Sequence, residues 1–362
     1  MGCRIRRSAA LFGSSSVFFV REARGPALPA PAFIRSIREV LILSVPRTLS
    51  LAAGQFSLLI LIALASLFSP GSIAVFTFAF NLQAVPLTII GVSYSVAAFP
   101  TLARLFASGN GKDFLSHVEA ALRHIAFWAI PATILIIVLR AQLVRTILGT
   151  GAFDWQATRL TAAALALFAL SLAAQSVALL IARAYYAAGK TAVPLKLGIL
   201  SVVVSVGSAL ALVVLFHADT LARHFLESAL RVPDLPGTTV LMLALGFTLG
   251  AVAQVAVGLR FLVRDFGVSL APLRRLVFQV SGASLIGGSA AYATLWFVGG
   301  LIDINTFLGI FTQGAFGGFA GIVVTAAVLG LLKNEELAEV VVALKRRFKD
   351  TGPVALEPTD AR

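Results

Sequence analysis

Eight apolar runs, each close to or longer than the roughly 20 residues that a spanning helix needs, limit what this chain can become. They cover about residues 48–67, 73–101, 119–139, 160–182, 194–216, 239–259, 276–298 and 306–332. Hydrocarbon offers no water to unpaired backbone groups, so runs of this length must close their hydrogen bonds as helices. Composition agrees: 59% of the 362 residues are hydrophobic and 12% are charged, with a mean hydropathy of +0.95. Soluble domains carry about 25% charged residues, so this chain has too few to dress a water-facing surface of normal size. The expected fold class is all-α, a polytopic membrane bundle of about eight transmembrane helices.

The ionisable residues fall in the connections. With the N-terminus in the cytoplasm, 24 of the 29 Lys and Arg residues lie in inside segments, and Arg140, Arg145, Arg159, Arg223 and Arg231 lie outside. That asymmetry satisfies the positive-inside rule and places both termini in the cytoplasm. The net charge of +13 therefore reads as a topology signal whose partners are membrane lipids with anionic headgroups, and no nucleic acid is expected. Residues 1–32 have a basic start, a serine-broken apolar patch and closely spaced prolines, which read as a poorly ordered cytoplasmic lead-in. Residues 33–332 form the membrane bundle. In 333–362, an amphipathic helix from Lys333 to Asp350 lies along the inner membrane face, followed by a loose tail.

The second run is the most polar. Projected at 100° per residue, Thr77, Asn81, Thr88 and Ser95 fall within about 40° of one another, and Gln83 lies with Tyr94 on a second stripe. An unpartnered amide in hydrocarbon costs several kcal/mol, so these stripes face protein or water. They are either interhelical glue or the lining of a hydrated cavity. Pro86 here and Pro131 in the third run each remove a mid-membrane backbone bond and allow a kink. Gln55, Gln175, Gln254, Gln279 and Gln313 add amides from five further runs, and Ser201, Ser205 and Ser208 form a stripe on the fifth.

The 16 acids lie in connections, tails or at span ends, which argues against a carboxylate proton relay through the membrane. Cys3 is the single cysteine. His117 with His124, and His217 with His224, are spaced by seven, a poor metal pattern beside the i, i+4 pair of a zinc helix. No phosphate-cradling loop or nucleophile motif is present, so no metal, no cofactor and no enzyme activity is expected.

Two stretches carry a family likeness. "GVSYSVAAFPTLARLFASGNGKDF" (91–114) resembles the end of a central helix in the MurJ/MviN family of lipid II flippases. "LGTGAFDWQATRLTAAALALFALSLAAQSVALLIARAYYAAGKTAVPLK" (148–196) is similar to a second family signature, through Gly151-Ala152-Phe153-Asp154 and Tyr186-Ala187-Ala188-Gly189-Lys190-Thr191. "PRTLSLAAGQFSLLILIALAS" (46–66) looks like the family helix that precedes both. The resemblance spans about 33–332. It implies the second lobe, helices seven to fourteen, of a fourteen-helix MATE-like flippase that works by alternating access in the bacterial inner membrane. The implied partners are lipid II (undecaprenyl-pyrophosphoryl disaccharide pentapeptide) and a first lobe supplied from elsewhere. The substrate-cavity candidates are Asn81, Gln83, Thr88, Gln55 and Gln175. Small residues in the last two runs suit either close helix packing or a groove for the lipid tail.

The chain departs from the family at three charged positions. Asn81 stands where members often carry an arginine for the pyrophosphate, Leu61 where many carry an acid linked to sodium, and Leu179 where a lysine is common. A neutral amide makes a weaker phosphate contact than a guanidinium. Two other readings therefore stay open: an exporter of polysaccharide-lipid or small solutes in the same superfamily, and a non-transporting scaffold for cell-wall synthesis.

Overall fold

The computed structural model describes residues 48–50, 52–149, 154–233, 235–302 and 306–349. The expected lead-in 1–32 and the last residues of the tail lie outside them. Among the described residues every regular element is a helix. In chain order these are α1 (Thr48–Ala65), α2 (Ser72–Leu87), α3 (Ser93–Ala107), α4 (Gly111–Val138), α5 (Arg140–Leu148), α6 (Trp155–Ala169), α7 (Leu172–Ala187), α8 (Ala192–Ala218), α9 (Thr220–Leu230), α10 (Val240–Phe266), α11 (Ala271–Gly299), α12 (Phe307–Leu331) and α13 (Glu335–Lys349). Seven membrane-length helices result, with α2 and α3 counted as one, and the pair α6 and α7, bent by 42°, makes an eighth span.

The span boundaries differ from the sequence reading where helix ends are amphipathic. α2 continues through a single wide π turn at Thr88–Val92 into α3, which extends the second span to Ala107. α4 starts at Gly111 because Asn110 caps it, accepting the Asp113 N–H at 3.3 Å. The fourth span is broken at Leu170-Ser171, where the Ser171 hydroxyl donates to the Phe168 carbonyl at 2.6 Å.

α6 sits at the centre. Its residues from Leu160 to Ala169 are all buried, as expected for a helix that is apolar all round. Around it Phe76, Phe80, Phe168 and Phe247 meet edge to face, with centroids 5.1–5.7 Å apart. α8 and α10 approach most closely through Gly246 and Gly250, a small-xxx-small pair. A Cβ on Gly246 would lie 2.6 Å from Ala209 Cβ, and one on Gly250 would lie 2.7 Å from the Ser201 carbonyl oxygen. Part of the serine stripe is thus packing: Ser208 Oγ donates to the Gly246 carbonyl at 3.3 Å, and Ser205 is buried against Gly250.

The glycines of the last two spans also serve packing. A Cβ on Gly287 would lie 2.7 Å from the Gly321 carbonyl oxygen, and one on Gly317 would lie 2.8 Å from Leu295 Cδ2. The outer faces of α11 and α12 carry Phe278, Trp296 and Phe319, each more than two-thirds exposed, as suits a wall turned to lipid. α13 is tied to α4 by Arg123 with Glu336 at 3.1 Å.

Of the residues that carried the family likeness, Gly151, Ala152 and Phe153 lie outside the described residues, and others sit at helix ends. Asp154 accepts the Ala157 N–H at 2.7 Å and starts α6. Gly189 has a φ of +70°, open to glycine at little cost, and lets the Lys190 N–H return to the Tyr185 carbonyl at 2.9 Å. Tyr185, fully buried, donates its hydroxyl to Asp265 at 3.1 Å and so fastens the α7–α8 turn to the end of α10.

Candidate functional site

A cleft of about 630 Å³ opens between α1, α2, α3, α7, α8 and α10. α7 supplies its longest wall, through Gln175, Leu179, Ala182, Arg183 and Tyr186, which share one helical face at i, i+4, i+7, i+8 and i+11. α10 contributes Phe247, Ala251 and Gln254, again on one face. α1 brings Ser50, Gln55 and Ser57, and α8 brings Ser201. Phe80 and Phe247 belong both to the lining and to the aromatic cluster around α6, so the floor is apolar. Arg183 and Tyr186 lie near the end of α7, and Ser50 near the start of α1.

Of the expected cavity residues, Gln55 and Gln175 line this cleft. Gln175 is braced across the α6–α7 break, donating Nε2 to Ser171 Oγ at 2.7 Å. Asn81, Gln83 and Thr88 lie elsewhere. Asn81 and Thr88 are exposed on the face of α2 that also carries Phe78, Val85 and Ile89, and Thr88 turns its hydroxyl back to the Ala84 carbonyl at 2.8 Å. Gln83 is fully buried, and neither atom of its amide has a hydrogen-bond partner. The projected stripe does not survive the π turn. The wide turn shifts the later residues by about one position, roughly 100°, so Ser95 is fully buried and donates to the Val92 carbonyl at 3.0 Å.

The other amides divide cleanly. Gln254 faces the cleft, whereas Gln279 accepts from Asn334 at 3.2 Å and Gln313 donates to the Leu295 carbonyl at 2.8 Å. Leu61, at the family's acid position, is fully buried in the apolar core, and Leu179, at the lysine position, lines the cleft.

Sequence reasoning missed Arg183. With the span ended at 182, it was counted as a connection residue, but α7 runs to Ala187 and places it one turn beyond Leu179 on the cleft face. The spacing from Gln175 to Arg183 and Tyr186 could have revealed it. Among the described lining residues Arg183 is the one charged group. A guanidinium, a phenol and three amides around an apolar floor form a donor-rich pocket, within the ~300–1,000 Å³ usual for ligand sites. It is suited to an anionic or sugar-like headgroup attached to an apolar tail.

Comparisons with known proteins bear on the fold and the family. The family model described as "Lipid II flippase MurJ" matches residues 15–224, more than half of the chain. A probable lipid II flippase MurJ from Rickettsia prowazekii is 31% identical over 169 residues, covering 47% of this chain and 33% of the relative. Its counterpart from Rhizobium tropici is 28% identical over 182 residues, or 50% of this chain and 34% of that one. The chain thus spans about a third of the length of these curated relatives. A solved structure, lipid II flippase MurJ in an inward closed conformation, superposes with a TM-score of 0.59 at 18% identity, covering 83% of this chain and 56% of that one. At that identity it supports the fold alone.

Proposed function

The chain belongs to the MurJ lipid II flippase family, and from that premise we propose that it forms one lobe of a flippase that carries lipid II from the cytoplasmic to the outer leaflet. The cleft carries this reading: Arg183 offers a charge-assisted contact to a pyrophosphate, and Tyr186, Gln55, Gln175 and Gln254 offer hydrogen bonds to the sugar beside it. A disaccharide pentapeptide is bulkier than this cleft, which suits a site shared with a facing lobe, as in transporters that hold substrate between repeats. The exposed face of α2 bearing Asn81 and Thr88 is the surface we assign to that lobe. Transport then proceeds by rocking of the two lobes, in the bacterial inner membrane with both termini cytoplasmic.

Depleting the chain from cells that make it, while measuring lipid II exposed on the outer leaflet, tests this. Exposure should fall, and Arg183→Gln should reproduce the fall; unchanged exposure in both refutes the role. Competition binding among lipid-linked headgroups separates lipid II from other polysaccharide-lipids. A scaffold role is the second reading, favoured by the apolar Leu61 and Leu179. It requires that Arg183→Gln leave growth and lipid II exposure untouched while depletion does not.

A further inference from the structure

At the end of the bundle away from the cleft, two arginines gather near one tyrosine, and a third holds the backbone of one of them. Arg231 has a φ of 62°, a left-handed conformation uncommon for a side chain of its size. Its carbonyl accepts from Arg159 Nη2 at 2.6 Å. Its guanidinium donates to the Tyr292 hydroxyl at 2.8 Å, with Cζ 5.7 Å from the ring centroid. Arg140, at the start of α5, is half-buried and close enough to feel both groups; burial, and then the Arg231 charge, hold its pKa below the usual arginine value. Among the described residues it donates to the Ile137 carbonyl at 3.3 Å. Among the described residues neither Arg140 nor Arg231 is paired with a carboxylate.

Two like charges brought together repel, and with no carboxylate paired to either among the described residues the arrangement favours an external anion. What surrounds the arginines indicates which kind. Tyr292 is half-exposed on α11, on the same face as Leu285 two turns earlier and Trp296 one turn later, which are 61% and 80% exposed. That is a lipid-facing wall with aromatic residues at interfacial depth.

We propose that Arg140, Arg231 and Tyr292 bind the phosphate of an anionic phospholipid headgroup, with an acyl chain lying along α11 past Leu285. The inference is independent of the flippase reading, because it concerns a different face and a bilayer lipid. Two guanidiniums and a phenol present several donors to a phosphate diester, which has oxygens for all of them, while the wall supplies what free phosphate lacks.

The test is retention measured by native mass spectrometry of the full purified chain with three probes: phosphatidylglycerol, a diglycosyl diacylglycerol that has no phosphate, and inorganic phosphate. Arg231→Gly is the informative variant. It deletes the cation, keeps the carbonyl that Arg159 uses, and suits the left-handed backbone. Lys333→Gly, also at positive φ (51°) but at the other end, is the matched control. The parent should retain phosphatidylglycerol over the glycolipid. Arg231→Gly should lose about five- to tenfold of that retention, without a lower melting temperature, and Lys333→Gly should lose none. Arg140→Gln should show a comparable loss. Equal retention of the two lipids, or no loss in either arginine variant, overturns the proposal. Displacement by inorganic phosphate at equal concentration overturns its lipid part.

Discussion

The tight contact between α8 and α10 allows a quantitative prediction. In Gly246→Ala, the new Cβ would stand 2.6 Å from Ala209 Cβ and 2.7 Å from its Cα and N. Ordinary contact begins at 3.4 Å, so the shortfall is about 0.7–0.8 Å, and backbone rather than a flexible side-chain end stands in the way. α8 and α10 must part. Gaps of about 0.5–1 Å forfeit a quarter to a half of each dispersion contact, and overpacked cores lose about 1–3 kcal/mol. Replacing a helix glycine by alanine returns about 0.5–1 kcal/mol, so overpacking prevails and a net loss of about 1–2 kcal/mol is expected. The assay is thermal unfolding in detergent for the single variant, for Ala209→Gly, and for the pair. Ala209→Gly removes the Cβ but leaves its Cα and N at 2.7 Å, so it should restore part of the loss, giving a coupling of about 0.5 kcal/mol or more. Because Ser201 and Ala251 line the cleft close to this contact, the single variant should also weaken headgroup binding. A Gly246→Ala chain that melts at or above the parent, or a coupling near zero, refutes the reasoning.

Three further outcomes follow from the geometry. Gln83→Met should raise stability by about 1–3 kcal/mol, the usual cost of a buried unpaired polar group; a lower melting temperature would mean the amide is satisfied in the native state. Glu227 is buried, ion-paired to Arg223 at 3.0 Å and accepting from Thr238 at 2.7 Å. Glu227→Gln should cost about 1–3 kcal/mol and speed amide exchange between residues 220 and 239, whereas unchanged exchange would remove its role as a latch. Arg123→Gln breaks the part-exposed bridge to Glu336, worth at most about 1 kcal/mol, so α13 should exchange faster while global melting barely moves.

The spans were legible because length and apolarity alone specify a membrane helix, whatever it packs against. Their ends were not, because the missing turns are amphipathic. The first three turns of α4 hold Lys112, Asp113, His117 and Glu119, yet bury Phe114, Val118 and Leu122 on one face. Gln55 and Gln175 could be read as cleft residues because amides are costly in an apolar helix. Arg183 escaped because a charge at a hydropathy boundary looks like topology until the helix is known to continue. The Asn81 stripe failed at its far end for another reason: projection assumes a constant 100° step, and no residue between 88 and 92 announces a wide turn by itself.

That turn lies just after Pro86, and its effect reaches the cleft. Proline removes the N–H that would return to the Leu82 carbonyl, and two residues further on the backbone widens at Thr88–Val92. The extra residue rotates Gly91 into α7, where its missing side chain is needed: a Cβ there would stand 2.9 Å from Ser176 Cα. Ser176 lies just past the second discontinuity, the bend at Leu170-Ser171, and its own hydroxyl is already tied to the Leu172 carbonyl at 2.8 Å. Two broken helices therefore meet at one backbone contact. Beside it stands the Phe76, Phe80, Phe168 and Phe247 cluster, and beyond it runs the α7 face from Gln175 to Tyr186. A regular α2 would return Ser95 to the exposed stripe and turn Gly91 away from Ser176. α7 would lose the contact that sets its rotation just before Arg183 and Tyr186, so the bend that spoiled the sequence projection also orients the charged wall of the cleft.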